Sequence, residues 1–270
     1  MDDVEGTETF GVAAASYDSF MGRYSRPLAD RFADAVGVRL GDTALDVGCG
    51  PGALTAVLVD RLGVDAVAAC DPTAGFAAVC ATRLPGVRVE LGRAESLPFE
   101  AASFDHVMSQ LVLHFVSDGA LAASEMLRIV RPGGRVGACV WDFDDGMELL
   151  RCFWDAALEL DSAAPDEART LRFGGQGEIA DLFESAGAVE VVESTLSVSA
   201  GYEGGFDELW AGLLAGVGPA GAYCVSRGED ERRELRALLF ERLGRPTGPL
   251  TLGALARCAV GRRPDRHPTG

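Results

Sequence analysis

The residues best placed to do chemistry lie in ALDVGCGPGALT, 44–55, where a short apolar run meets a glycine-rich turn. Gly48-x-Gly50-x-x-Ala53 satisfies the dinucleotide spacing G-x-G-x-x-G/A, and Gly48-x-Gly50-x-Gly52 is a tighter pattern on the same residues. Either way, glycines between a strand and a helix let a ligand approach the backbone closely. Charge separates the two readings. A pyrophosphate needs several free N–H groups at a helix N-terminus, and Pro51 deletes one of them. Asp46 places a negative charge two residues before Gly48, which repels an anion and favours a cofactor carrying an amino group and a positive sulfonium. The loop therefore suits a cationic nucleoside. Asp71, at the end of the next apolar run, stands where a doubly wound sheet sets a carboxylate against a ribose.

The elements that must position these residues follow from the hydrophobic pattern. A strand ends at Gly48, a helix runs from Ala53, and a strand spans 64–71; a helix from Thr73 and a strand over 87–91 complete βαβαβ, hence a parallel sheet. The alternation continues through a strand at 104–109, a helix begun by Asp118 and stopped by Pro132-Gly133-Gly134, and a strand at 135–141. Segments 188–200 and 250–260 alternate with period two and read as an antiparallel pair closing the sheet. Between them, 201–248 holds an amphipathic helix with Leu235, Leu238, Leu239 and Leu243 on one face. Near the start, Tyr17, Phe20, Met21 and Tyr24 form an aromatic stripe at helical spacing, with a second helix expected after Pro27. That stripe is open between core packing and a lid over a cation.

Composition excludes other classes. A formal net charge of -17 disfavours nucleic acid as a partner, because affinity for a phosphate backbone comes largely from Lys and Arg. Every Lys or Arg is in fact Arg, which rules out a lysine Schiff base and a P-loop lysine. The 7 cysteines form no C-x-x-C and sit mostly in apolar stretches, as in a reducing cytoplasm. No apolar run reaches the ~18 residues of a membrane span. The expectation is a soluble cytoplasmic protein with neither nucleic acid nor membrane as partner.

With DVGCGPG (46–52) and CDP (70–72), the later stretches GRAESLPFEAASFDHV (92–107) and EMLRIVRPGGRV (125–136) resemble class I S-adenosylmethionine-dependent methyltransferases. The likeness is to the small-molecule branch that includes the quinone-biosynthesis C-methyltransferases. It implies an α/β, Rossmann-like sheet of seven strands, mostly parallel, with an antiparallel terminal pair and a helical insertion over the active site. One domain would be organised as a lid (10–40), a cofactor-binding core (41–200), a substrate-covering insertion (201–248) and a last strand (249–261). The resemblance also implies roles. Gly48, Cys49, Gly50 and Gly52 line the methionine and ribose portion, Asp71 with Pro72 meets the ribose, Ala94 and Glu95 flank the adenine, and Gln110 touches the methionine end. Arg93 stands where many relatives have Asp, which leaves Glu95 as the substitute acceptor for the adenine amino group. Tyr17 falls in the lid, and Arg23 is the expected partner of the cofactor carboxylate.

His114, in the loop after the fourth strand, is open between a general base and a packed histidine. The acidic run 141–145 reads as a solvated loop, with Mg²⁺ binding the sharper alternative and no metal expected. Phe206, Trp210, Leu213 and Leu214 are expected to cover a flat, largely apolar small-molecule acceptor. Methyl transfer is the expected activity. A nicotinamide-dependent oxidoreductase and a non-catalytic S-adenosylmethionine-binding protein are the alternatives. Acceptor atom and oligomeric state do not follow from the residues.

Overall fold

Four-residue β1 (Ala44–Val47) and five-residue β2 (Val67–Asp71) are buried along their whole length, as strands covered on both faces must be. They lie near the middle of a seven-stranded sheet in a computed structural model that describes residues 18–265. The strand order is β3-β2-β1-β4-β5-β7-β6, with β3 at Arg88–Leu91, β4 at Phe104–Gln110, β5 at Val130–Trp141, β6 at Val189–Tyr202 and β7 at Leu250–Arg262. Strands β1 to β5 are parallel, and β7 runs antiparallel between β5 and β6. The order reverses at β1 and β4, and ligands of such sheets bind outside the strand ends at that crossing.

Helices α1 (Arg23–Val36) and α2 (Ala53–Leu62) cover one face, and α4 (Gly119–Ile129) and α7 (Glu178–Ser185) the other. Between them in sequence come α3 (Ala74–Arg83), α5 (Glu148–Leu160) and the single turn α6 (Glu167–Thr170). The sequence pattern yields the sheet and its terminal pair but misses α5, α6 and α7. The signal for α5 was present: Leu149, Leu150, Phe153, Trp154, Ala156 and Ala157 recur at helical spacing and are all buried. The expected helix break at Pro27 does not occur. Pro27 lies inside α1, close behind a π-helical turn (Asp18–Gly22), so its missing N–H falls near the start of the helix where the ladder is already irregular. Strand β5 also begins earlier than its apolar run, at Val130, because Val130 pairs with Phe104 before a shift in register.

The insertion between β6 and β7 holds α8 (Gly205–Leu214), α9 (Gly218–Ser226) and α10 (Glu229–Arg242). Leu235 and Leu239 of the expected leucine face are fully buried, and Leu238 and Leu243 pack at its margin. Arg242 bonds Glu159 at 2.7 Å, tying α10 to α5. No single helix among the described residues is long and apolar enough to cross a membrane.

Helix α1 is the link between the sheet and the insertion. It presses so closely on β5 that a Cβ at Gly137 would stand 2.7 Å from Val36 Cγ2 and 3.2 Å from Phe32. At its other end Tyr24 and Tyr202 share a hydroxyl hydrogen bond of 3.2 Å. Arg23 stacks 4.4 Å above the Tyr202 ring, donates to the Gly201 carbonyl at 2.7 Å and pairs with Glu208 at 2.9 Å. The contact at Gly137 gives a test. Gly137→Val should destabilise the protein by ~1–3 kcal/mol, the usual cost of overpacking, read as a lower urea midpoint at unchanged slope. An unchanged midpoint would show that α1 does not lie against β5.

Candidate active site

The turn after β1 is built from backbone that only glycine adopts without strain. Gly48, Gly50 and Gly52 have φ of +76°, +52° and +97°, and a Cβ at Gly48 would collide with the Val112 side chain. The turn is tied to the next strand. Gly48 N and Cys49 N both donate to the Cys70 carbonyl, at 2.8 and 3.0 Å. Gly50 N donates to Asp71 Oδ2 at 2.9 Å, while Asp71 Oδ1 accepts from Thr73 N at 2.8 Å. A carboxylate has about four acceptor positions, so Asp71 retains capacity toward a ligand.

Beneath the loop Asp46 is fully buried. Its Oδ2 accepts from the Thr55 hydroxyl at 2.6 Å, and Oδ1 has no partner. Burial pushes its carboxyl up to about 7, and the negative charge of Asp71 adds to the shift against the Thr55 hydrogen bond. Gln110, at the end of β4, donates through Nε2 to the Ser25 carbonyl at 2.9 Å, leaving a shielded Oε1 without a donor. Asp46, Gln110, Asp71 and the Gly48–Gly50 turn line one cavity of about 260 Å³. Two buried acceptors lacking donors there fit a ligand that brings N–H groups and positive charge. A pyrophosphate would set its oxygens against them. These residues fit S-adenosylmethionine better than a dinucleotide.

A second, apolar pocket adjoins the first and shares two residues with it, Leu111 and Phe115. Leu111 turns the chain out of β4 in the left-handed region, φ +60°, held by its N–H donating to the Cys139 carbonyl at 2.8 Å. That conformation costs a non-glycine residue on the order of 1 kcal/mol or more, and here it sets an apolar side chain between the two cavities. Phe20, Met21, Trp141, Phe143 and Leu150 form the walls with the start of α9, Val217–Ala220. His114 and Glu167 are the titratable side chains in this lining. The His114 ring lies 4.0 Å from Phe115 and 5.4 Å from Phe143, with a shielded, unpartnered Nδ1, and burial pulls it down to about 3. It is neutral at neutral pH. Glu167 accepts from Trp154 Nε1 at 2.8 Å. Burial pushes it up to about 7, Trp154 opposing and Asp166 reinforcing.

Of the residues expected at the cofactor, Asp46, Gly48, Cys49, Gly50, Asp71, Pro72 and Gln110 come together in the first cavity. Gly52 stands just behind it, at the N-terminus of α2. Ala94 and Glu95 are not in its lining. Ala94 is buried in the core on the other face, and Glu95 accepts from Ser117 N at 3.1 Å and pairs with Arg93 at 3.5 Å. Arg23 does not line this cavity; it lines the neighbouring one with Pro51 and Gly52, while engaged with Glu208 and Gly201 as described. Tyr17 lies outside the described residues. Hydrogen bonding to Cys80 and burial push the Cys49 thiol far up, against any nucleophilic role. Asp142, in the acidic run, pairs with Arg257 at 2.7 Å.

The insertion reaches the apolar pocket through α9 rather than through the expected aromatic cluster of α8. Phe206 packs on Phe240 at 5.0 Å, Trp210 and Leu213 are buried in the core, and Leu214 is exposed. Among the residues that sequence reading missed are Leu111, Phe76 and Phe115 at the first cavity and Glu167 in the second. Glu167 stands in PDEART, 165–170, which carries no signal beyond a polar turn.

Asp46 yields a stability test. An unfolded Asp titrates near ~3.9, so between about pH 4 and pH 7 the folded protein holds a proton that the unfolded chain releases. Stability from this group is present at low pH and lost as pH rises towards 7. Asp46→Asn should flatten that fall by ~1.4 kcal/mol per pH unit at most, read from urea unfolding at several pH values. An identical slope in the variant would refute the raised carboxyl.

Comparison with known proteins accords with this geometry. Residues 45–138 match the family model described as a methyltransferase domain. Nocamycin O-methyltransferase of Saccharothrix syringae is 33% identical over 202 residues, 68% of this chain and 72% of that protein. A demethylmenaquinone methyltransferase of Beutenbergia cavernae is 43% identical over 103 residues, 38% of this chain but 42% of its own length. The chain spans about half or less of that relative and of the next ones it matches. The fold is similar to that of Haemonchus contortus phosphoethanolamine N-methyltransferase 2 in complex with S-adenosyl-L-methionine. The TM-score is 0.59 at 15% identity, over 96% of this chain and 57% of that one. A family model over the glycine turn and sheet, and a relative matched over most of both chains, place this chain among the S-adenosylmethionine-dependent methyltransferases.

Proposed function

We propose that the chain transfers the sulfonium methyl group of S-adenosylmethionine to a small, largely apolar molecule held in the pocket walled by Phe20, Trp141, Phe143 and α9. The observation that carries this reading is the shared wall: Leu111 and Phe115 belong both to the acceptor-rich cavity and to the apolar pocket. A sulfonium methyl directed past Leu111 leaves polar surroundings and enters apolar ones.

S-adenosylmethionine supplies the electrophilic methyl; the chain supplies position. Asp71 meets the ribose hydroxyls, while Asp46 and Gln110 receive the amino end of the methionine. Leu111, buried between the two cavities, would help to keep water from the line of transfer. Alignment in a dry site can contribute ~7–11 kcal/mol to such a displacement, so positioning is the main source of acceleration. His114, neutral and pressed against two phenyl rings, shapes the pocket and offers an acceptor rather than a strong base.

Calorimetry tests the cofactor assignment. S-adenosylmethionine should bind and NADH should not. Asp71→Ala should weaken binding about tenfold or more, through loss of charge-assisted hydrogen bonds worth ~1.5–3 kcal/mol each. Affinity for S-adenosylmethionine should also rise from about pH 6 to about pH 8 as Asp46 ionises, and Asp46→Asn should remove that rise. NADH binding in its place would overturn the reading. Transfer of labelled methyl to apolar acceptors separates an enzyme from a protein that only binds the cofactor.

A further inference from the structure

We infer that Glu167 takes the proton of the acceptor, and that the acceptor is an apolar molecule presenting a weakly acidic hydroxyl, so that the product is a methyl ether. This rests on the reading of the apolar pocket as the acceptor site.

Among the described residues lining that pocket, Glu167 offers the one carboxyl group, and it is 5% exposed within walls of aromatic and aliphatic side chains. A buried carboxyl is costly and is retained only where hydrogen bonds engage it. Trp154 supplies one such bond, to Oε2 at 2.8 Å. A single neutral indole donor leaves the other oxygen with acceptor capacity. A hydroxyl on an apolar ligand matches that need, donating one hydrogen bond where the rest of the pocket takes only apolar surface. An ammonium fits less well, because a ligand next to a sulfonium is favoured when neutral or anionic. The neutral His114 adds a second acceptor nearby, but its depressed basicity makes it a poor destination for the proton.

The step balances without a further reactant. The hydroxyl O–H breaks and its proton passes to the Glu167 carboxylate, leaving the electron pair on oxygen. That oxygen forms a bond to the methyl carbon as the C–S bond breaks, and the sulfur keeps the bonding pair, giving a neutral thioether and a methyl ether. Glu167, now a carboxylic acid, returns its proton to solvent when the product leaves. Around Glu167 the charged and titratable groups are few. Asp166 precedes it, paired with Arg151 at 2.9 Å and near Arg169. Tyr223 stacks on the Trp154 ring, and His114 stands in the same pocket lining.

The test uses the whole chain saturated with S-adenosylhomocysteine, and 1-naphthol, 1-methoxynaphthalene and 1-naphthylamine as probes. Wild type should bind 1-naphthol about tenfold or more tighter than its methyl ether at about pH 8, with the preference shrinking by about pH 5.5 as Glu167 is protonated. Glu167→Gln keeps an oxygen for Trp154 but cannot take a proton. It should bind S-adenosylhomocysteine normally, lose the naphthol preference and its pH dependence, and lower transfer of labelled methyl to 1-naphthol by ~100-fold. Should that variant fold poorly, the pH dependence in wild type and in His114→Gln carries the test. Equal binding of 1-naphthol and its ether, an unchanged preference in Glu167→Gln, or methylation of the amine in place of the naphthol would overturn the inference. Binding of none of the three naphthalenes would instead overturn the assignment of the pocket itself.

Discussion

The Asp71 carboxylate holds together the two turns on which the site depends. One oxygen takes the Gly50 N–H from the turn after β1, and the other takes the Thr73 N–H from the turn after β2. Without that bridge the Gly50 N–H would lose its side-chain partner. The left-handed backbone of Gly48, Gly50 and Gly52 would then be held by the two bonds to the Cys70 carbonyl, by Gly52 N donating to the Cys49 carbonyl and by Arg83 donating to the Pro51 carbonyl. The negative charge of the same carboxylate also pushes the Asp46 carboxyl up, so one side chain both shapes the cavity and makes it negative in character.

From this anchor the site grows in two directions of different character. Towards the sheet lie backbone amides and buried oxygens, fixed by strands whose every residue is enclosed. Towards the insertion lie side chains from segments distant in the chain: Phe20 and Met21, then Trp141 and Phe143, then Leu150, Glu167 and the start of α9. Leu111 stands at the junction in a conformation ordinarily avoided by leucine. Strain at that position is sustained by its hydrogen bond to β5.

This division also explains what the sequence revealed. The sheet, its antiparallel terminal pair and the glycine turn were legible because each rests on a local rule: strand period, glycine in left-handed backbone, a carboxylate at a strand end. The pairing of Arg23 was not legible, because its partners Glu208 and Tyr202 lie some 180 residues away in the chain, beyond any local rule. Ala94 and Glu95 carried a resemblance whose geometry this chain does not reproduce in the cavity lining. Glu167 had no readable signal, since its meaning comes from Trp154 and from the pocket around it. The cluster at Phe206 and Trp210 was read correctly as a helical apolar face, but what it faces is Phe240 and the core. Periodicity reports that a face is buried without saying against what.

The antiparallel ladder of β6 and β7 carries Tyr202 opposite Leu250, at the point where the chain leaves the sheet and where it returns. In topological terms, α8, α9 and α10 together are the loop of one very long β-hairpin. Closing such a loop costs only about (3/2)RT ln n, so lengthening, shortening or replacing it changes the cost of closure little and leaves the strand register alone. The helices themselves remain tied to the frame, since Leu209, Leu213 and Leu239 belong to the buried cluster that holds Tyr24 and Phe32 of α1. The insertion leaves and re-enters the sheet at one place, so whatever it contributes to the apolar pocket comes through the single opening between β6 and β7.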